Sequence, residues 1–266
     1  VERTIMLKNV PAIPLAILLL LVTVVPVTAK KPSVEDHAYH ARVSDAVEEM
    51  KRHGRSQDEI DAMLRDDFGW VLVAGGDEEV VLAASENSDV DMRTPYVYYS
   101  TQQGRYVAIA WYYWKNCGSQ RCWMRDYPFF PPNFGGYDGY GLSIAKLVTR
   151  MTQSFSVYTE TGYRTTYPNP SDADNSGATF RNQDKVLGPG QQYNWDHGVL
   201  TYSFTLRSGC PRGNYQINTK LGHTWASTGV SNITVNTSGI SVSFSNTENR
   251  WQAVNPVPRN WYPCGS

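Results

Sequence analysis

At 266 residues the chain is long enough for one large domain or two small ones, and with 41% hydrophobic residues core size sets no limit. A formal charge of -1 and an isoelectric point near 6.6 supply no long-range field to draw in nucleic acid or anionic lipid. A nucleic-acid binder held by electrostatics is excluded.

Taken in chain order, the first element is a leader. Arg3 and Lys8 precede the apolar run PAIPLAILLLLVTVV, Pro26 breaks it, and Val27 and Ala29 stand at the spacing a signal peptidase reads. Residues 1–29 are therefore expected to be a secretory signal peptide cleaved after Ala29. The rival reading is a membrane anchor, but the run falls short of the roughly 20 residues that span hydrocarbon. No cysteine follows it at a lipid-attachment position, so a released, extracellular protein is expected, with no stable membrane span after cleavage.

Residues 30–70 are charged and helical in pattern. Ser33 with Asp36, and Ser56 with Glu59, each form an S-x-x-[DE] capping box. Val43, Val47 and Met50 recur at helical spacing, as do Ile60, Met63 and Leu64, and Gly54 separates the two sets at a natural C-cap. This predicts a short helical hairpin with narrow apolar stripes. Two such helices cannot hold together in isolation, so the hairpin must dock on something. Residues 71–91, ending in the acidic stretch GGDEEVVLAASENSDVD, read as a linker with room for one short strand.

From residue 92 onward the composition changes, and sixteen of the seventeen tyrosines lie in this part of the chain. Alternation of period two dominates. In RYVAIAWYYW Val107, Ile109, Trp111 and Tyr113 share a face; in GVLTYSFTL Leu200, Tyr202, Phe204 and Leu206 oppose Val199, Thr201, Ser203 and Thr205, the pattern of a half-buried strand. SFSVYTE and NYQINTK read similarly, NITVNTSGISVSF reads as a hairpin turning near Gly239, and GLSIAKLVTRM (141–151) leans to strand. Asn232 and Asn236 open N-x-[ST] sequons, which on such a strand read as outward polar residues. The predicted fold is all-β: an antiparallel sandwich of jelly-roll or immunoglobulin-like type over residues 92–266, preceded by the helical hairpin.

Cys117, Cys122, Cys210 and Cys264 form an even set, as expected for two disulfides in an oxidising compartment. Of three connectivities, Cys117–Cys122 with Cys210–Cys264 is favoured, because a short loop closes easily and the last cysteine can pin the C-terminus. The chain-entropy estimate is about 2 kcal/mol for the short loop and about 4 kcal/mol for the long one. A zinc site fits poorly, since neither Cys210 nor Cys264 has a partner two to four residues away.

Catalytic candidates are few. Asp196 and His197 are neighbours, and in extended chain neighbouring side chains point to opposite faces, so the carboxylate is expected to be badly placed to orient the imidazole. His223 in GHTW is the other histidine of the β region, and no G-x-S-x-G elbow marks a nucleophile. Each histidine is expected to cap a strand or bond a backbone carbonyl, while a hydrolase would gather His197 or His223 with a carboxylate such as Asp138 or Asp196. Asp172, Asp174, Ser176 and Gly177 match the opening of a calcium loop, the one cofactor the sequence brings up. The twelfth position is Gln183 where a bidentate Glu is wanted, and such clusters are commonly plain turns, so no cofactor is the favoured expectation. In NFGGYDGYG glycines separate aromatics: either Tyr137 and Tyr140, with Trp195, open their faces to a carbohydrate or peptide ligand, or the tyrosines pack beneath a tight corner.

The stretches YVYYSTQQGRYVAIAWYYW, GYDGYGLS and RGNYQINTKLGHTWAST, within residues 92–255, resemble a group of uncharacterised exported proteins of Gram-positive actinobacteria. The resemblance implies export and a β fold, and brings no activity and no site residues. The expected function is a secreted or envelope-associated, non-enzymatic binding module; a secreted hydrolase is the alternative. Residues 30–70 are expected to be either a retained part of the module or a pro-segment masking its β surface.

Overall fold

A computed structural model describes residues 34–75, 90–115, 133–159, 161–187, 192–193, 196–225, 228–255 and 257–264. Residues 1–29, the Ser33 cap, Cys117, Cys122 and Trp195 lie outside the described residues.

Two helices open the described chain, α1 (Val34–Arg52) and α2 (Gln57–Phe68). The first stops where Gly54 takes φ 67° and its N–H bonds Lys51 O at 2.9 Å, followed by Arg55 N–H to Met50 O at 3.1 Å. The second begins with the Ser56–Glu59 capping box in both directions and ends on a left-handed Gly69 whose N–H reaches Arg65 O. The predicted hairpin is present.

The chain then runs directly into β1 (Trp70–Ala74), which pairs antiparallel with β3 (Tyr96–Ser100), and β2 (Val90–Met92) pairs with β4 (Arg105–Trp114). Both ends of the expected linker, residues 71–91, are therefore strands. WVLVA gives too short a run for alternation to distinguish it from a linker, and its partner lies across the acidic stretch. The remaining strands are β5 (Asn133–Ile144), β6 (Thr149–Tyr158), β7 (Arg164–Tyr167), β8 (Asp172–Asp174), β9 (Gly177–Leu187), β10 (Gln192–Tyr193), β11 (His197–Thr205), β12 (Ile217–Thr224), β13 (Val230–Asn236), β14 (Gly239–Phe244) and β15 (Arg250–Val254). GLSIAKLVTRM resolves into the end of β5, a turn, and the start of β6.

Among the described residues one sheet has the order β1-β3-β4-β11-β6-β7, with β2 beside β4, and a second has β10-β9-β5-β12-β15, with β8 beside β9. All pairings are antiparallel. The sheets stack through an aromatic core in which Tyr112 meets Tyr140 at 5.0 Å between centroids and Phe155 meets Phe180 at 5.7 Å. The protein is thus an all-β antiparallel sandwich with a helical hairpin ahead of it.

Each sheet is also covered on its outer face. The helices lie on the larger sheet, where Val43, Val47, Ile60 and Leu64 pack with Trp70, Tyr98, Val107, Ile109, Trp111 and Val199. β4 is consequently buried on both sides, as its unbroken apolar run allows. β11 is buried throughout too, against the expectation of a half-buried strand. Thr201 is satisfied sideways rather than by water, its Oγ1 lying 2.8 Å from Ser154 Oγ. Over the smaller sheet lies the predicted hairpin, β13–β14, with Thr179 Oγ1 donating to Ile233 O and Val235 N–H donating to Asp172 Oδ2. The close approach needs glycine beneath it: a Cβ on Gly222 would sit 2.8 Å from Val242 Cγ1.

Candidate functional site

Both β-domain histidines sit at the same end of the sandwich. His197 opens β11, between β4 and β6, and pairs in register with Tyr113 on one side and Tyr158 on the other. One imidazole is thus sandwiched by two phenol rings, Tyr158 at 4.7 Å and 4° and Tyr113 at 5.1 Å and 25°. Asp196 precedes the strand in a bend, its N–H bonded to Tyr158 O and its carbonyl accepting from Trp114 N–H. Because it lies outside the extended run, its carboxylate does reach the neighbouring ring, Oδ2 to Nδ1 at 2.8 Å. The expectation that adjacency would keep the pair apart, and that His197 would bond a backbone carbonyl, is corrected on this point.

A third group comes from the helical hairpin. Glu48 Oε2 lies 2.7 Å from His197 Nε2, and the two side chains are 5% and 8% exposed. Lys51, one turn on, sits 3.8 Å from Glu48, donates to Tyr113 OH at 2.7 Å and lies 4.0 Å from the Trp111 ring centroid. Burial works against the charged imidazole, but the flanking Asp196 and Glu48 carboxylates outweigh it and hold the His197 pKa above its ordinary value. Burial likewise pushes the Glu48 carboxyl up, yet His197 and Lys51 bring it below the ordinary range. Glu48 was missed in the sequence. The available signal was a polar stripe, His40, Ser44 and Glu48, four residues apart beside Val43 and Val47 and buried with them.

His223 lies on β12 in the smaller sheet, facing the core. Its Nδ1 is 2.7 Å from Asp138 Oδ2 on β5, and the other carboxylate oxygen accepts the Thr224 N–H at 2.8 Å. Trp114, Trp251 and Trp225 surround the ring at 4.9, 5.1 and 6.0 Å, and the imidazole is 1% exposed. Asn182 stands opposite Asp138 on β9, also buried. The pairing of His223 with Asp138 is the one the hydrolase alternative needs. The two histidines do not converge, however: Tyr113 stacks on His197 and the next residue, Trp114, meets His223, so the two pairs sit on opposite faces of β4.

The other candidates separate. Tyr137 is 50% exposed with the Arg181 guanidinium over its ring at 5.6 Å, whereas Tyr140 is fully buried, where burial pushes its hydroxyl pKa up. Three residues apart on a strand, the rings point to opposite faces, so no shared ligand surface forms. Asp172, Asp174 and Ser176 form the β8–β9 hairpin: Asp174 Oδ1 accepts the Ser176 N–H and hydroxyl, and Asp172 Oδ2 accepts the Val235 N–H. These carboxylates close a turn and pin a hairpin rather than converging on a cation. Among the described residues no group of three or more His, Cys, Asp or Glu side chains is arranged to hold a metal ion. Cys210 and Cys264 are joined, with Cα atoms 5.8 Å apart.

That disulfide fixes the C-terminal strip against the sandwich at the opposite end of β4. Asn214 Oδ1 accepts Trp261 N–H, Tyr215 N–H bonds Trp261 O at 2.7 Å, and the Trp261 ring meets Tyr106 at 4.8 Å. Between this strip and β1 opens a cleft of about 490 Å³, lined among others by Ala74, Tyr106, Arg259, Asn260, Trp261 and Tyr262. Tyr262 is half exposed, Asn260 is exposed, and Arg259 Nε donates to Pro95 O at 2.8 Å. Nothing local in the sequence marks this cleft, because its walls come from residues 73–75, Tyr106 and residues 259–263, positions far apart in the chain.

No family model matches the chain, and no curated protein matches it. Among solved structures it is similar to the enzymatically active domain of tailspike protein 4 of bacteriophage CBA120, at 14% identity over 55% of this chain with a TM-score of 0.21. It spans only 18% of that chain's length. It is also similar to Clostridium perfringens delta-toxin, at 8% identity over 66% of this chain and 90% of that one, with a TM-score of 0.20. Likenesses this slight carry no argument about what the chain does.

Proposed function

We propose that the chain is a secreted or envelope-associated binding module, non-enzymatic, that holds an extracellular ligand in the cleft beside Trp261 and Tyr262. The observation that carries the reading is the contrast between the two kinds of site. Both imidazoles are buried, back to back across β4, with Asp138 buried and Asp196 28% exposed, whereas the cleft is open, of a size within the roughly 300–1,000 Å³ of small-ligand sites, and mixes aromatic rings with amide and guanidinium groups. That mixture suits a short oligosaccharide better than a peptide: ring faces take the apolar side of a sugar, and Asn260, whose Oδ1 accepts from Asn214 Nδ2 at 2.6 Å, offers its hydroxyls the amide N–H groups as donors. Export is supported by the leader pattern of residues 1–29 and by the Cys210–Cys264 disulfide, an oxidising-compartment feature. The resemblance read from the sequence stretches within residues 92–255 implies export as well.

The test is a titration of the protein with soluble neutral oligosaccharides, read by tryptophan fluorescence and calorimetry. Saturable binding is expected, weakened about tenfold or more by Tyr262→Ala, a loss of about 1.4 kcal/mol. Binding that ignores Tyr262→Ala, or no binding across the panel, would count against this cleft.

The 2.7 Å contact between His223 and Asp138 favours a second reading, a secreted hydrolase. Hydrolysis of chromogenic ester or glycoside substrates that disappears in His223→Ala and persists in Tyr262→Ala would establish it instead.

A further inference from the structure

α1 rests on the larger sheet in an unusual way for a surface helix. Its fully covered apolar residues are Val43 and Val47, and beside them it buries His40, Ser44 and Glu48. α2 is fastened differently, by Ile60 and Leu64, by Asp61 accepting from Tyr98 OH at 2.9 Å, and by its direct run through Gly69 into β1. The ties of α1 to the strands beneath include a charged set, Glu48 to His197, Lys51 over Trp111 and onto Tyr113, and Arg164 of β7 to Asp45 and to Ala41 O, beside a neutral one at its start, where Tyr39 OH accepts from Trp70 Nε1 at 3.1 Å and donates to Phe68 O of α2. At the other end of the hairpin, Gly54 has φ 67° and open space around it, a place where the chain can turn. Under α1 lies a row of rings, Trp70, Trp111, Tyr113 and Tyr158.

From this geometry we infer that α1 is a proton-held cover over the aromatic outer face of the larger sheet, clasped by the row Glu48–His197–Asp196, and that loss of the imidazole proton lets it lift about the Gly54 turn while α2 stays in place. With the proton present, one cation lies between two carboxylates, and the Glu48 side chain is paired although only 5% exposed. Without it, Glu48 and Asp196 flank a neutral ring, and Glu48 keeps only the Lys51 ammonium, at 3.8 Å, as a charged partner, so the buried carboxylate loses its closer cation and is less favoured against water. Undocking returns Glu48 to solvent.

The groups facing His197 fix the sign of the effect. From α1 they are Glu48, Lys51 and Asp45; from the bend before β11, Asp196; from β4 and β6, Tyr113 and Tyr158; at the margin, Arg164 on β7 and Asp91 with Arg93 around β2. His197 has a raised pKa, so its contribution to docking is complete below the ordinary value of 6.5 and is lost as pH climbs through the raised one. Glu48 has a lowered pKa, so its contribution is complete above 4.5 and is lost as pH falls through the lowered one. Lys51, pushed down to about 8 by burial, acts oppositely to His197: its deprotonation between about 8 and 10.5 favours the docked state. Tyr113 and Tyr158, with raised pKa values, stay neutral through this range. Docking is therefore firmest between 4.5 and 6.5 and loosens toward pH 8.

Hydrogen exchange on the intact chain at about pH 6 and about pH 8, corrected for intrinsic rates, tests the cover. The amides of α1 are expected to lose about tenfold or more of their protection at the higher pH, while those of β4 and β11 keep theirs, and His197→Gln should abolish the difference. In the unmodified protein the His197 ring, followed by NMR, should titrate above 6.5. Equal protection of α1 at the two pH values, loss in step with β4 and β11, a His197→Gln protein that keeps the pH dependence, or a His197 midpoint at or below 6.5 would each overturn the inference. If His197→Gln fails to fold by circular dichroism, the two wild-type measurements decide.

Discussion

Gly136 shows how little room some positions in this fold leave. It lies in the irregularity of β5 between Phe134 and Tyr137, where the β12–β13 connection crosses, and a Cβ there would stand 1.8 Å from the Thr228 carbonyl oxygen. Backbone, unlike a flexible side-chain tip, cannot step aside cheaply. Gly136→Ala is expected to destabilise by about 1–3 kcal/mol or more, read from the denaturant midpoint at unchanged m-value; a midpoint equal to wild type would show that the crossing is looser. In the sequence Gly136 was visible as one of four glycines among aromatics, and the two readings weighed for them were spacing tyrosine faces open to a ligand and permitting a tight corner with the tyrosines packed beneath. The structure gives the glycines themselves the role of letting other chain segments lie flat on β5. His197 makes a similar point. The alternation rule holds inside a strand, and Asp196 is one residue outside it, so a one-residue boundary decides whether a carboxylate meets a ring.

Among elements, the start of α2 was the most legible, because a capping box is local chemistry in which Ser56 and Glu59 bond each other's backbone, whereas the left-handed Gly69 that closes its last turn is a finding of the structure. What α2 docks on was not legible, since a narrow stripe names no partner. Tyr98 supplies part of that anchorage through its hydroxyl, which meets Asp61 at 2.9 Å and Gln57 at 3.3 Å. Tyr98→Phe is expected to cost only about 1 kcal/mol in chemical denaturation, because Gln57 and Asp61 already bond each other at 2.8 Å and neither is left unpartnered. A loss of several kcal/mol would mean that the hydroxyl, rather than Ile60 and Leu64, holds α2 down. β1 was read as linker because its run is short and its partner distant, and β11 as half-buried for another reason. Whether a strand's second face is wet depends on a distant element, and here the helices cover a face that Thr201 and Ser203 make look exposed. By contrast the unbroken run of β4 already carried the signature of two covered faces.

At the scale of the molecule the order is helices, larger sheet, smaller sheet and β13–β14 hairpin, with the C-terminal strip stapled by Cys210–Cys264 at one end. The disulfide closes a span of 54 residues and by the chain-entropy estimate contributes about 4 kcal/mol. Such a layering leaves both imidazoles inside and the Trp261–Tyr262 cleft outside, and the proposed function follows from that division. It can be checked on the unmodified protein by diethyl pyrocarbonate labelling at about pH 6, with each histidine followed by mass spectrometry of one digest. His53, whose side chain is 64% exposed, serves as the internal reference. The layered arrangement predicts rapid labelling of His53 with His197 and His223 left largely unmodified; labelling of His223 or His197 at a rate comparable with His53 would contradict it and reopen the hydrolase reading.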